Sequence, residues 1–550
     1  MSDTNCWHRP PWIDYFELNV EKQAADTCIV KDNQQGQKQL ASLIRSGLGV
    51  WKEANKLCFE SYQNIHDLAA IKQLICAPCA LYQYLDFNQR YYPTTDMQAI
   101  NLERLCARNG GRTMVAEIGL DFSLNVAVLQ QALNQVVARH SVLRTTARQL
   151  LNSWIQIVHQ DYNIQCETTQ LINYQGCAPF SQRIRQFRAE LDQQKVSVAG
   201  FPLLRVIHVT DENNNGSILV KASHFCFDGY SIALFISELL ERCLCLISGK
   251  NYPVVDLKAQ FAHFCLTRFD KSIEHNNAYW AKYMAQKQAV FEQFLFQDKP
   301  ALVEGPLDAL VEDLAQRSGN LLAKFSPSIN AKIASFCQLK KVHHIKFIIS
   351  AIVILIYRLT GQTVPLMMGV TLRNKKHQLN TVIGDFAVAL PMVLDIKAGS
   401  CPADIFKSYN REITNIGKHM EHSCSQVRAK SLDDNKVMNP KLMISTMDFD
   451  LSAPRLSDKK DNNATFRNSK GKINHAFFNA EPLADLMIFV VKTEGESQFV
   501  FHHDKRKFSS QTMQLFFDNL SSLIEQFTDT EEVDIDHYLI DEALQKRLLK

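Results

Sequence analysis

Long hydrophobic runs are missing from this chain of 550 residues. The longest, residues 347–357, is closed by Lys346 and Arg358. It falls well short of the ~20 apolar residues that a membrane-spanning helix needs, and so predicts a buried core helix. No charge of either sign prevails: 60 Lys+Arg stand against 57 Asp+Glu, a formal charge of +3. That excludes a dedicated nucleic-acid binder and a polybasic membrane anchor. Cysteine lacks the even count and regular spacing of a secreted disulfide framework, with 15 spread over the chain. The opening Met1-Ser2-Asp3-Thr4-Asn5 has neither the basic nor the apolar region of a signal peptide. The expectation is a soluble, cytoplasmic protein. No dinucleotide fingerprint, Walker loop or GxSxG elbow is present. No Gly/Ser- or Pro-rich linker and no repeat divides the chain.

What is there is ordinary globular composition, 46% hydrophobic and 21% charged, at a length that predicts two or three compact units. Residues 1–88 read as mixed, weakly helical sequence. They hold the one Cys-x-x-Cys, Cys76-Ala77-Pro78-Cys79, which lacks both the second ligand pair of a zinc site and a βαβ context, and reads as buried thiols. Leu129, Ala132, Leu133, Val136 and Val137 fall at helical spacing. Strands are expected at 154–158 and 203–209, then a hairpin through Asp211-Glu212-Asn213-Asn214-Asn215-Gly216 and a return strand over 217–225. A helix follows over 232–247 and the organisation restarts near 250–255. Helical sequence at 261–284, a helix at 347–359, strands at 366–370, 386–394, 486–492 and 498–502, and a last helix bearing Met513, Phe516 and Phe517 complete the pattern. The fold class expected is α+β, in two halves of comparable size.

The stretch with chemistry in it is Ser223-His224-Phe225-Cys226-Phe227-Asp228-Gly229-Tyr230-Ser231. With period two, Ile218, Val220, Ala222 and His224 share one strand face, which ends an apolar row in an imidazole. A neutral imidazole, with its usual pKa of about 6.5, can accept a proton. Gly229 permits close backbone approach, and an amide at a helix start can stabilise an oxyanion. Taken alone, a histidine followed by Asp-Gly is a turn.

Other blocks stand in register with it: Tyr92-Pro93-Thr94-Thr95-Asp96-Met97-Gln98, Arg139-His140-Ser141-Val142-Leu143-Arg144-Thr145, Gln260-Phe261-Ala262 with Tyr279-Trp280, Tyr357-Arg358-Leu359-Thr360-Gly361-Gln362, Gly369-Val370-Thr371-Leu372-Arg373-Asn374, and Ile383-Gly384-Asp385-Phe386 with Leu390-Pro391. From about Tyr92 to nearly the C-terminus the chain resembles the condensation domain of nonribosomal peptide synthetases, in the chloramphenicol-acetyltransferase-like superfamily. The resemblance implies two such lobes in a V-shaped pseudo-dimer, divided as an N-terminal extension (1–88), an N-terminal lobe (89–252) and a C-terminal lobe (253–550). It makes His224 the catalytic histidine of HHxxxDGxS, with Ser223 in place of the first His. Asp228 becomes a structural residue paired with Arg373, beside Gly229. Lys418-His419-Met420-Glu421-His422-Ser423 departs from the family's HxDxPFE block.

The activity implied is amide or ester formation by a free-standing enzyme, with no room left for an adenylation or carrier domain. It would use acyl or peptidyl carrier proteins as partners, their phosphopantetheine arms bringing the substrates, and bind no cofactor or metal of its own. Rivals on the same fold are an acyltransferase using a soluble amine or alcohol and acyl-CoA, a non-catalytic recruiting module, and an epimerase. His343-His344 and His502-His503 lack the further partners of a metal site. Lys459-Lys460 and Lys505-Arg506-Lys507 read as solvated charge, with contact to a carrier protein or a phosphate the lesser alternative.

Overall fold

The computed structural model describes residues 9–20, 33–54, 56–63, 67–75, 78–107, 113–120, 124–171, 179–194, 204–213, 216–252, 257–269, 273–299, 318–373, 379–420, 441–448, 472–479, 484–493, 496–529 and 534–548. The first stretch of chain forms β1 (Ile13–Asn19), α1 (Asn33–Arg45), β2 (Gly49–Glu53), β3 (Lys56–Tyr62), α2 (Leu68–Leu74), α3 (Pro78–Tyr84), β4 (Gln89–Pro93) and α4 (Asp96–Ala107). It continues through β5 (Thr113–Leu120), α5 (Val126–Arg139), β6 (Thr145–Leu150), β7 (Ser153–His159), β8 (Glu167–Leu171) and α6 (Phe180–Gln193). Then come β9 (Leu204–Asp211), β10 (Gly216–Ser223), α7 (Gly229–Ile247) and α8 (Phe261–Thr267). The later elements are α9 (Ile273–Gln293), β11 (Ser318–Lys324), α10 (Pro327–Lys340), α11 (His344–Thr360), β12 (Pro365–Thr371), β13 (Ala387–Val393) and α12 (Pro402–His419). The chain ends in β14 (Leu442–Asp448), β15 (Lys472–Asn479), β16 (Leu486–Thr493), β17 (Glu496–Asp504), α13 (Ser510–Asp529) and α14 (Glu542–Arg547).

These group into two compact units. One comprises Met1–Ile273, Arg373–Phe386 and Ala453–Asn479; the other Glu274–Leu372, Ala387–Ser452 and Ala480–Lys550. They differ from the division expected at 88/89 and 252/253, because two late segments are bonded into the first unit. Arg373, Gly384 and Phe386 are bonded to the start of α7, and β15 pairs antiparallel with β5. The sequence pattern could not show either link, since the partners lie far apart in the chain.

Among the described residues, the first unit has two sheets. One runs β1-β3-β2-β4-β7-β6, so three strands from the first 88 residues are built into a sheet with the strands that follow. Strands β1, β2 and β3 stand beside the helices α1, α2 and α3 in the stretch read as mixed and weakly helical, and they form for a physical reason. Phe16 faces Phe59 and Leu18 faces Leu57 across the β1–β3 ladder, and that face packs on Leu40, Leu43 and Ile44 of α1. The other sheet runs β15-β5-β10-β9-β8. Its expected hairpin is present, with β9 and β10 antiparallel and Ile218 opposite His208. Every residue of β10 is buried, which fixes the register of the strand that leads to His224.

In the second unit the sheet order is β11-β17-β16-β14-β12-β13, with β14 parallel to both neighbours. The expected helix over 347–359 is α11, buried along almost its whole length and closed by Gly361 at φ 67°. The helical stretch expected over 261–284 is two helices, α8 and α9. Among the described residues, no single helix is long and apolar enough to cross a membrane.

Candidate active site

β10 ends at Ser223, and a tight turn carries His224 before α7 begins. The Ser223 carbonyl accepts from the Cys226 amide at 3.1 Å, and its hydroxyl accepts from the Phe225 amide at 3.2 Å. A serine here does local work that an imidazole need not do: it closes the turn on its own backbone. His224 is buried, with 7% of its surface exposed.

Asp228 is the N-cap of α7. Its Oδ1 accepts from the Ser231 amide at 2.7 Å, satisfying a helix-start donor, and Gly229 is the first residue of the helix. Its Oδ2 accepts from the Phe386 amide at 3.1 Å. Arg373 Nη2 stands 3.3 Å from Asp228 Oδ1, with both side chains 3–4% exposed. The same guanidinium donates to the Ser231 hydroxyl at 2.5 Å and to the carbonyls of Leu379 and Val382 at 2.8 and 2.5 Å. It also lies over the rings of Phe386 and Tyr230, at 4.1 and 4.6 Å from their centroids. Asp228 thus spends its carboxylate on holding the loop and helix start.

Gly384 completes the clamp. Its carbonyl accepts from the Asp228 amide at 3.2 Å and the Ser231 hydroxyl at 2.6 Å, while its amide donates to Ser231 Oγ at 3.0 Å. A Cβ there would run into the Phe261 ring, which packs edge-on against Phe386 at 5.0 Å. Ser231, Gly384 and Phe386 stand in the sequence blocks, but residue type alone assigns them no task. The one local signal is the Asp-x-x-Ser spacing of a helix cap; the far partners have none.

The Arg139–Thr145 block braces α7 further along. Glu238 takes His140 Nε2 at 2.9 Å, Arg139 Nε at 3.3 Å and Arg242 Nη2 at 2.7 Å. Burial alone would raise the Glu238 carboxyl, but His140, Arg139 and Arg242 together bring it down to about 2. Gln260 ties in α8 by accepting from the Ser141 amide and donating to the Arg139 carbonyl, each at 3.0 Å. Cys226, two residues past His224, is no ready nucleophile, because burial and then Asp385 push its thiol far up.

The remaining candidates have structural partners. His343 caps α11 through Nδ1, and His344 Nε2 lies 2.9 Å from the Ser497 hydroxyl. His502 is hydrogen-bonded to Ser318, and His503 lies under Gly319. Arg506 pairs with Asp504, and Lys507 donates to Gln297 at 3.0 Å. Among the described residues, no group of three His, Cys, Asp or Glu could hold a metal ion. His419 ends α12, with Nδ1 2.9 Å from Asn276 Oδ1 and its ring stacked on Tyr279 at 3.9 Å. Cys76, the Cys79 side chain, residues 421–423 and Lys459-Lys460 lie outside the described residues.

The site is thus a buried strand delivering a histidine to a turn, locked by an Asp-Gly helix start within an α+β unit. The chain belongs to the Condensation domain family, whose model matches residues 88–549. It is 25% identical over 171 residues to a subunit of linear gramicidin synthase from Brevibacillus parabrevis, covering 31% of this chain and 3% of that protein. To a subunit of plipastatin synthase from Bacillus subtilis it is 22% identical over 418 residues, covering 72% of this chain and 15% of that protein. The chain therefore spans a small part of the length of these relatives. The solved condensation domain from monacolin K polyketide synthase has the same fold, with TM-score 0.65 and 14% identity over 81% of this chain and 99% of that one. Condensation domains are acyl-transferring enzymes of peptide synthetases that work with carrier proteins, and this chain is of that transferase family.

Proposed function

We propose that the chain joins an acceptor amine to an acyl group held as a thioester on the phosphopantetheine arm of a carrier protein, with His224 at the reaction centre. The observation that supports it most is the loop itself: a buried imidazole on a turn whose neighbours, Asp228 and Ser231, are fully committed to holding that turn. The reaction needs a neutral amine, alignment with the thioester carbonyl, and removal of the amine proton as the C–N bond forms and the C–S bond breaks. His224 orients the amine and takes that proton. The sulfur of the carrier arm leaves as a thiolate and takes up a proton to become the free thiol. A positioned base contributes roughly 10²–10⁴-fold and alignment a comparable factor. The phosphopantetheine arm arrives with the substrate; no cofactor is assigned to this chain.

The test is intact-mass analysis of a loaded donor carrier protein mixed with loaded or free amine, using the wild type and His224→Ala. Amide product from the wild type alone supports the proposal. Equal yield from the variant removes His224 from the chemistry. Product formed from acyl-CoA with no carrier present replaces it with a soluble-donor acyltransferase.

A further inference from the structure

Gln98 is fully buried and sits at the start of α4, 127 positions before Phe225. Its position is fixed locally by a reciprocal cap. The Gln98 amide donates to Thr95 Oγ1 at 3.1 Å, and Gln98 Oε1 accepts from the Thr95 amide at 3.0 Å. That pattern of Thr-x-x-Gln caps helices with either Gln or Glu, since only an acceptor is needed.

The other end of the carboxamide does something a cap does not ask for. Nε2 donates to the Phe225 carbonyl at 3.0 Å and to Gln156 Oε1 at 3.3 Å. Gln156, 1% exposed on β7, in turn donates to the Pro93 carbonyl at 2.6 Å and to Cys265 Sγ of α8 at 3.0 Å. The amide orientation follows from these partners. Reversed, Nε2 would face the Thr95 N–H and Oε1 the Phe225 carbonyl, opposing donor to donor and acceptor to acceptor.

The Phe225 carbonyl belongs to the residue next to His224, inside the turn that Ser223 closes through its carbonyl and hydroxyl. We propose that Gln98 is a positioning residue for His224: its Nε2–H holds the turn at Phe225 and so sets where the imidazole stands. The proposal rests on His224 being the reaction centre. A displacement of about 1 Å in a reacting group can lower turnover by about 10²-fold. A cap residue with no such task would affect stability alone.

The test uses the full chain with ¹³C-labelled histidine, the His224 signal being assigned by its loss in His224→Ala. Gln98→Met removes the donor without adding charge. Gln98→Glu keeps the acceptor for the Thr95 amide and, when ionised, lacks the donor. Leu40→Ala, on α1 in the core under the first sheet and with no side-chain hydrogen bond to lose, controls for general destabilisation. The expected result is that the His224 signal and its titration midpoint move in both Gln98 variants and stay in place in Leu40→Ala. Turnover of the acyl-loaded carrier protein with amine should fall about 10- to 100-fold in kcat, with KM within about twofold. A His224 signal in Gln98→Met that superimposes on the wild type throughout the titration overturns the proposal. If that signal moves but His224→Ala forms product normally, the positioning contact stands and the catalytic assignment fails.

Discussion

Replacing Asp228 by alanine should unfold the first unit more readily, and the structure sets the size of the effect. The side chain is 4% exposed and accepts from the Ser231 amide, the Phe386 amide and Arg373. Loss of an N-cap costs about 1 kcal/mol. Breaking a buried ion pair costs about 3–5 kcal/mol when the surviving charge is stranded. Arg373 is not stranded, because the Leu379 and Val382 carbonyls and the Ser231 hydroxyl still accept from it. The lower end applies, and with overlap between shared partners the total is about 4 kcal/mol. With the unfolding entropy usual for a unit of this size, that lowers Tm by about 6 °C. Differential scanning calorimetry of the wild type, Asp228→Asn and Asp228→Ala checks it. Asparagine keeps the cap and should fall between the other two. An unaltered Tm in Asp228→Ala would refute the assignment of this carboxylate to the scaffold.

Three further outcomes follow from the same kind of reasoning. Burial tends to raise the Glu60 carboxyl, but His263, the Tyr92 hydroxyl and Arg90 outweigh it and bring it from 4.5 to about 2. A depressed folded pKa adds stability above the unfolded value, lost as pH falls through the folded one. Glu60→Gln should therefore cost about 3 kcal/mol in urea unfolding at neutral pH, and the gap from the wild type should shrink as pH falls from 4.5 toward about 2. Gly384→Ala should lose roughly 1–3 kcal/mol by overpacking against Phe261. Phe261→Leu in the same chain should restore part of its Tm, and no restoration would place the strain elsewhere. His343→Ala should lower stability by about 1 kcal/mol, since its Nδ1 caps α11 at the Ile345 amide; chemical denaturation of that variant measures it.

The legible part of the site was the part that is local. The end of a buried strand, the turn after it and an Asp-x-x-Ser cap occur within the nine positions Ser223–Ser231, so residue types alone place His224 between β10 and α7. The pairing of Asp228 with Arg373 was open to resemblance but not to pattern, because 145 positions separate them. Gln98 stood in a sequence block and at the third helical position of a Thr-x-x-Gln cap, but neither it nor Gln156 carried any sign of what the far end of its carboxamide meets. In the fold, the helices with one apolar face and the β9–β10 hairpin were readable from periodicity. β1, β2 and β3 were not, since their alternation is short and broken by residues such as Glu60 and Cys58. Those two are buried because neighbouring groups pair with them. β15 was missed because its reason for being a strand is β5, more than 350 positions earlier in the chain.

The His224 loop is therefore specified twice, by different physics. The short-range code makes a turn and a helix start, and would make them in many proteins. The long-range code decides where that turn stands, through groups whose only escape from burial without a partner is one geometry: the Gln98 carboxamide on Phe225, the Phe386 amide on Asp228, and the Gly384 carbonyl on Ser231. Each costs little when paired and about 1–3 kcal/mol when orphaned. The loop gains from them not so much stability as a narrow choice of position. A positioned imidazole needs that narrowness, because proton transfer and amine alignment fall off over fractions of an ångström, whereas a docking surface tolerates far more. The density of committed buried polar groups around His224 is what favours a catalytic loop over a recruiting one.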